Sequence, residues 1–315
     1  MNKEMDSAPA PAARPSRSTL APWLVVALLG HTAWGVYPVL GRYLQTVSHI
    51  PSMMLLTVGY LPLAIVFGVW AWPRYGKVFL GSRSLWVFAL IVVIRSITNI
   101  LAARYTLAIY VQLITLMTPF LIAFLSTLVL HEELPRGTYP AIVLSFLGSL
   151  LMMSSEVSGE GIRFGLTRSD WIGIGLALGS AIFLAFYMIA AGRTAQFAMP
   201  GLVILLFQST VIMSGSALAS LAVREDWSVW LHLSRSDWAA MLFYMGFIVV
   251  GANWLQITSL RHLGAPVVSS LMGWRLVSTL FVGILLLGEG LDSWLQVVGM
   301  LIVLATVTWY LWSRR

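Results

Sequence analysis

The chain has no cysteine, and only 10% of its 315 residues are charged. The absence of cysteine excludes disulfides and thiolate metal sites. Soluble domains carry about 25% charged and about 45–50% apolar residues, whereas this chain is 59% hydrophobic. A soluble core of this length could not bury so much apolar surface. The composition therefore predicts an integral membrane protein.

The apolar segments also lack the groups that intramembrane catalysis would need. They contain no central aspartate or glutamate and no paired histidines, while hydrolases and phosphotransferases need a nucleophile with a base, or clustered acids for a metal. Both lysines, Lys3 and Lys77, lie outside these segments, which excludes a retinal Schiff base. We therefore expect no enzyme activity, no cofactor and no metal. The net charge of +7 does not indicate a nucleic-acid partner, because the basic residues are scattered singly.

Ten apolar stretches are each long enough to cross a bilayer as a helix, which takes about 17–25 residues. Their expected limits are 22–46, 51–72, 84–103, 107–130, 138–155, 170–191, 200–223, 237–260, 265–287 and 292–312. Residues 1–21 are polar and rich in alanine and proline, which is typical of a disordered tail. The predicted fold is an all-α integral membrane protein with ten transmembrane helices.

The basic residues indicate the orientation of the chain in the membrane. Eleven arginines and lysines fall on the side of the two termini and six on the other side, which predicts cytoplasmic termini. We expect the protein in a bacterial inner (plasma) membrane, in contact with lipid. The sequence does not predict an oligomeric state.

One pattern is written twice, 157 residues apart. Its members are Arg104, Ala108 and Glu132 in the first copy, and Arg261, Ala265 and Glu289 in the second. Two further pairs, Gly41-Arg42 with Gly192-Arg193 and Gly148 with Gly299, repeat at slightly shorter offsets. The duplication predicts two five-helix repeats, 22–155 and 170–315, joined by a loop at 156–169. Since five spans is an odd number, the second repeat must be inverted, which is an architecture of transporters.

This arrangement resembles the drug/metabolite transporter superfamily, EamA type, over roughly residues 22–312. The resemblance rests on ten spans in two halves, a proline thirteen residues before a glutamate (Pro119 and Glu132), a Gly-Glu-x-Leu exit (Gly288 to Leu291) and an Ala-Trp-Gly pattern in the first span (Ala33 to Gly35). It implies movement of small metabolites by alternating access, without specifying which metabolite. The ninth span departs from the family pattern, because Leu276 stands where a proline is common and Arg275 precedes it.

Two arginines lie near the middle of apolar spans, Arg95 in the third and Arg275 in the ninth. A central arginine costs about 2.5–3.5 kcal/mol on insertion scales, so each side chain must face protein, water or ligand. One interpretation is structural, with each arginine capping a broken helix or binding carbonyls. The other is that both line a central cavity and bind an anionic group by charge-assisted hydrogen bonds. The absence of a central carboxylate favours the second interpretation.

Other polar and aromatic residues of the spans are candidates for the same cavity. The candidate substrate-binding residues, besides the two arginines, are Asn99, Trp34, Tyr37, Gln112, Thr115, Asn253 and Ser278. The alternative for each is a packing role or a hydrogen bond between helices. His31 can titrate near neutral pH and is a candidate for proton coupling; a structural hydrogen bond is the alternative.

The leading hypothesis is a secondary transporter, an exporter or exchanger, of small organic anions or zwitterions such as amino acids. Two alternatives stay open. One is a broad-specificity exporter of neutral or cationic compounds, and the other is a membrane sensor or scaffold that transports nothing.

Overall fold

The computed structural model describes residues 17–130, 137–153, 156–158, 161–163, 165–193, 200–263, 268, 271–291 and 293–312. The first half contains α1 (Arg17–Thr46), α2 (Ser52–Val66), a π-helical turn (Phe67–Ala71), α3 (Trp72–Gly81), α4 (Arg83–Tyr105), α5 (Ala108–Thr115), α6 (Thr118–Leu130) and α7 (Thr138–Met153). The second half contains α8 (Arg168–Arg193), α9 (Gly201–Ala222), a 3-10 turn (Trp227–Leu231), α10 (Arg235–Phe243), a π-helix (Tyr244–Ala252), α11 (Asn253–Leu263), α12 (Gly273–Leu287) and α13 (Trp294–Trp312).

These helices form ten spans, numbered here in chain order. Six helices are long and apolar enough to cross a membrane, and four further apolar helices are shorter. The predicted all-α membrane fold is therefore confirmed. One short hairpin departs from it, because β1 (Glu156–Ser158) pairs antiparallel with β2 (Gly161–Arg163) in the loop between spans 5 and 6.

Local signals mark several helix ends. Ser82 accepts a hydrogen bond from the Leu85 N–H at the start of α4. Ser234 and Asp237 form a reciprocal capping box at the start of α10, which satisfies N–H groups that have no partner within the helix. Gly288 ends α12 with φ +66°, a left-handed conformation that glycine adopts without steric cost.

Span 2 is longer than its hydropathy predicts, because the helix continues from Ser52 to Gly81. Thirty residues at 1.5 Å each measure about 45 Å, whereas the hydrocarbon core is about 30 Å thick. The extra turns carry Arg74 and Lys77, which the sequence assigned to a loop. Pro73 does not end the helix, because it follows directly on the π-helical turn Phe67–Ala71, where the regular α-helical hydrogen bonding is already interrupted.

Span 4 is interrupted near its middle, and a turn precedes the long helix of span 9. α5 ends at Thr115, and α6 begins at Thr118 after a turn at Leu116 and Met117. In span 9 a turn at residues 271–272 precedes α12. Arg275 is therefore the third residue of a new helix rather than the centre of a continuous one. Broken helices of this kind form the binding sites of many transporters.

The packing of the spans has an approximate two-fold symmetry. Span 1 packs on span 9 and span 6 on span 4; span 3 packs on span 6 and span 8 on span 1. Each span has a counterpart five spans away along the chain. Replacing each span by its counterpart turns the pair of spans 1 and 9 into spans 6 and 4, and the pair of spans 3 and 6 into spans 8 and 1. Spans 2 and 7, and spans 5 and 10, pack on their own counterparts. This is the pattern expected of two inverted five-helix repeats.

The repeated glycines Gly148 and Gly299 lie where spans 5 and 10 cross. A Cβ added to Gly299 would lie 2.5 Å from the Gly148 carbonyl oxygen, and one added to Gly148 would lie 2.9 Å from the Gly299 carbonyl oxygen. Spans 5 and 10 therefore cross backbone against backbone at equivalent positions. The apolar core divides into two clusters, one centred on spans 1, 2, 3, 7 and 8, the other on spans 4, 5, 6, 9 and 10.

Candidate functional site

Arg275 is a buried cation between spans 1 and 9. Its side chain is 8% exposed, and its Nε donates to Nδ1 of His31 across 2.9 Å. Its guanidinium carbon lies 5.7 Å from the centre of the Trp34 ring, within cation–π range. No carboxylate pairs with Arg275 among the residues that the structure describes.

His31 holds Arg275 from the first span. Its Nε2 lies 2.8 Å from the carbonyl oxygen of Val268, which belongs to the upstream part of span 9. The backbones are close nearby, since Thr279 donates to the Gly35 carbonyl at 2.7 Å. A Cβ added to Gly35 would lie 2.5 Å from the Arg275 carbonyl oxygen. Span 1 can approach Arg275 this closely only because glycine stands at position 35.

Arg95 is the second cation of the site. Its guanidinium carbon lies 5.2 Å from the centre of the Tyr187 ring, and its Nε is buried without a hydrogen-bond partner. Tyr187 and the Trp34 ring beside Arg275 pack against the same hydrophobic core cluster. The two predicted arginines therefore lie against aromatic rings of one environment. In the described part of the chain Arg95 has no carboxylate partner either.

Aromatic rings line this environment, and the sequence predicted two of them. Trp34 and Tyr37 have ring centres 6.0 Å apart, and Tyr37 is 6.0 Å from Tyr244. The Nε1 of Trp34 is buried without a partner. Tyr187 donates to Oε1 of Gln208 at 3.0 Å.

Sequence reasoning missed Tyr60, Tyr187 and Tyr244, together with Gln208. Tyr187 lies beside Arg95, and it packs against the core cluster that contains Tyr60 and Tyr244. These tyrosines lie away from the span ends, and a buried tyrosine hydroxyl usually needs a polar partner. That depth was the signal that could have identified them.

The remaining predicted residues fall into two groups. Asn99 donates to Ser180 at 3.1 Å, and its Oδ1 is buried without a partner. Gln112 is buried, and its Nε2 has no partner either. The other three residues donate to carbonyls one turn back in their own helices, Thr115 to Val111, Asn253 to Val249 and Ser278 to Trp274. No hydrogen bond within the described ranges joins Gln112, Thr115 or Asn253 to either arginine.

The end of the bundle where α1 ends, called here the far end, is held by a polar network. Arg42 forms an ion pair with Glu289 and donates to the carbonyls of Ala103, Arg104 and Thr106. Glu289 accepts from the Ala108 N–H at 3.0 Å. The network thus joins the ends of spans 1, 3 and 9 to the start of span 4. Glu132, the repeat counterpart of Glu289, lies outside the described residues.

Further polar contacts at the far end join neighbouring spans. The Glu225 carboxylate accepts from the N–H groups of Met53 and Met54 at the start of α2, where a helix favours negative charge. Ser48 donates to Asp237 at 2.6 Å. No group of three acidic, histidine or cysteine side chains within the described ranges could hold a metal ion.

In the part of the chain that the structure describes, apolar helices in two similarly packed sets, together with a buried Arg275 and a half-buried Arg95, have the architecture of a membrane transporter. Residues 21–154 match the model of the EamA-like transporter family. This match over the first half of the chain supports membership of the drug/metabolite transporter superfamily, and proteins of the EamA family are transporters rather than enzymes.

Comparison with solved structures agrees with this fold. One crystal structure of another protein matches with a TM-score of 0.60 and 17% identity, over 95% of this chain and 99% of that chain. At this identity the likeness shows the fold alone. No curated protein matches the chain.

Proposed function

We propose that this transporter moves small organic anions or zwitterions, such as amino acids, and that Arg95 and Arg275 bind the anionic group. The carrying observation is that each guanidinium group lies against an aromatic ring, Arg275 on Trp34 and Arg95 on Tyr187, while neither has a carboxylate partner among the described residues. A cation in the membrane centre costs about 2.5–3.5 kcal/mol. An anionic ligand would offset this cost for both arginines.

The start of α12 supports this assignment. Arg275 lies in the first turn of α12, and a helix N-terminus carries partial positive charge from its unpaired N–H groups. A cation is unfavourable there, whereas an anion is favourable. Helix breaks at the membrane midplane often direct such N-termini at the anionic groups of substrates.

The unpaired buried polar atoms of the predicted residues are mostly donors, which also suits an anion. Trp34 Nε1, Gln112 Nε2 and Arg95 Nε are buried without partners. The Oδ1 of Asn99 is an unpaired acceptor, suited to the ammonium group of a zwitterion. Under this proposal Trp34 and Tyr37 form the wall of the cavity.

Three further predicted residues have a smaller part in the proposal. The side chains of Thr115, Asn253 and Ser278 each donate one hydrogen bond within their own helix. Toward a substrate they would act as hydrogen-bond acceptors. Proton coupling by His31 stays a prediction.

Transport would proceed by alternating access between the two repeats, 22–155 and 170–315. The hydrogen-bonded far end would open when Arg42 and Glu289 separate. We further propose that the protein lies in a bacterial inner membrane with cytoplasmic termini, and that it works as an exporter or exchanger.

Binding measurements on purified protein test the substrate class. A thermal-shift series with glutamate, alanine, benzoate and putrescine samples anionic, zwitterionic and cationic solutes. We expect stabilisation by the first three and none by putrescine. Arg275→Gln should weaken the affinity about 10- to 100-fold, because a hydrogen bond to a charged group contributes about 1.5–3 kcal/mol. Arg74→Gln, an exposed arginine outside the site, is the matched control. Stabilisation by putrescine, or an unchanged affinity in Arg275→Gln, would contradict the proposal.

A further inference from the structure

His31 contacts both sides of the break in span 9. Its Nε2 lies 2.8 Å from the carbonyl of Val268, upstream of the turn at residues 271–272. Its Nδ1 accepts from Nε of Arg275, in the first turn of α12. One imidazole ring on span 1 therefore connects Val268, upstream of the turn, with the first turn of α12.

These two contacts require one tautomer of the ring. A carbonyl oxygen can only accept a hydrogen bond, so Nε2 must carry the proton that it donates to Val268. The guanidinium Nε–H can only donate, so Nδ1 of His31 must be unprotonated. Both contacts are satisfied together only by the neutral ring with its proton on Nε2. A second proton, on Nδ1, would be directed at the guanidinium group.

The hydrogen bond to His31 also determines which N–H groups of Arg275 remain available to bind a ligand. The Nε–H is used by His31, and Trp34 lies within cation–π distance of the guanidinium carbon. The remaining four N–H groups on the two Nη atoms form no hydrogen bond with described residues. They are the pair of nitrogens that binds a carboxylate bidentately.

We propose that His31 is a positioning residue for anion binding: through its fixed tautomer it orients the Arg275 guanidinium so that the two Nη atoms face the ligand. The inference rests on the proposed function for its ligand, an organic carboxylate. It differs from proton coupling, because the ring acts here without changing its protonation.

Two amide substitutions separate the two contacts of the ring. In His31→Asn the amide oxygen can occupy the place of Nδ1 and still accept from Arg275, while the contact with Val268 is lost. In His31→Gln the amide nitrogen can occupy the place of Nε2 and still donate to Val268, while the acceptor for Arg275 is lost. The pair is matched in chemistry and differs only in which contact remains.

The affinity for glutamate or benzoate is the first readout. We expect His31→Asn to stay within about fivefold of the unsubstituted protein, and His31→Gln to weaken binding at least about tenfold. Arg275→Lys, which keeps the charge but has no guanidinium fork, should resemble His31→Gln. Equal losses in the two His31 variants, or a larger loss in His31→Asn, would overturn the proposal.

A thermal-unfolding cycle without ligand is the second readout, and it does not depend on the substrate class. His31→Gln, Arg275→Gln and the double variant should be non-additive in Tm, with the double variant losing less than the sum of the single losses. Additive losses would overturn the positioning role whatever the protein transports. Non-additive losses in a protein that binds no carboxylate would leave the contact intact and contradict the proposed function instead.

Discussion

Arg42 and Glu289 form an ion pair across the far end of the bundle, although 247 positions separate them in the chain. Nε of Arg42 lies 2.5 Å from Oε1 of Glu289, and the two side chains are 21% and 9% exposed. Arg42 also binds three carbonyls at the end of span 3, and Glu289 binds the N–H of Ala108. One pair of charges therefore holds spans 1, 3, 4 and 9 together.

Replacing Arg42 alone should destabilise the protein more than replacing both Arg42 and Glu289. Arg42→Gln leaves the buried Glu289 carboxylate without its cation, which should cost about 3 kcal/mol. Glu289→Gln leaves the more exposed Arg42, which keeps its carbonyl contacts, so its cost should be smaller. The double variant should be more stable than Arg42→Gln alone. Thermal unfolding of the three variants in one detergent measures the order, and a double variant below Arg42→Gln would contradict this account.

The same pair should make stability depend on pH. Burial raises the pKa of the Glu289 carboxyl above its usual value, although Arg42 and the Ala108 N–H lower it. Between the usual and the raised value the folded protein binds the proton and the unfolded chain does not. This contribution to stability is therefore present at low pH and is lost as the pH rises through the raised pKa.

Glu289→Gln removes the titrating group, so the Tm of this variant should fall less between pH 4 and pH 8 than that of the unsubstituted protein. Glu225→Gln, which changes a carboxylate at the same end of the bundle, is the comparison. Parallel pH profiles for the unsubstituted protein and Glu289→Gln would show that Glu289 does not titrate differently on folding.

Tyr187 should act on Arg95 through its ring rather than through its hydroxyl. Tyr187→Phe removes the hydrogen bond to Gln208 and keeps the ring beneath the guanidinium. Tyr187→Leu removes both. A cation–π contact contributes about 0.5–2 kcal/mol, so carboxylate affinity should fall about 2- to 30-fold in Tyr187→Leu and by less in Tyr187→Phe. Equal affinities of the two variants for glutamate would exclude a role of the ring.

Gly35 should tolerate no side chain, because the backbones of spans 1 and 9 meet there. A Cβ would lie 2.5 Å from the Arg275 carbonyl oxygen and 2.8 Å from the Ser278 Cβ. Gly35→Ala should therefore destabilise the protein by about 1–3 kcal/mol. Gly179→Ala is the control, since a Cβ there meets no atom within 4 Å. Equal Tm values for the two variants would show that the helices can separate without cost.

Hydrophobicity predicted the spans, because a stretch long enough to cross the bilayer is a strong signal. The two arginines were also predictable, since a charge within an apolar stretch has few alternatives to a buried site. The turns in spans 4 and 9 could not be predicted from the sequence, because such turns depend on tertiary contacts such as that of His31 with Val268. The ion pair of Glu289 with Arg42 was not predictable either, because it depends on how distant helices pack.

The crossing of Gly148 and Gly299 restricts how the two repeats can move. Their backbones touch without side chains between them, so the helices have no flexible groups through which to slide. Separation would expose the backbone of both helices. If the two repeats rock as proposed, this crossing is the fulcrum, and distances measured between labels on spans 5 and 10 should stay constant while those at the far end change.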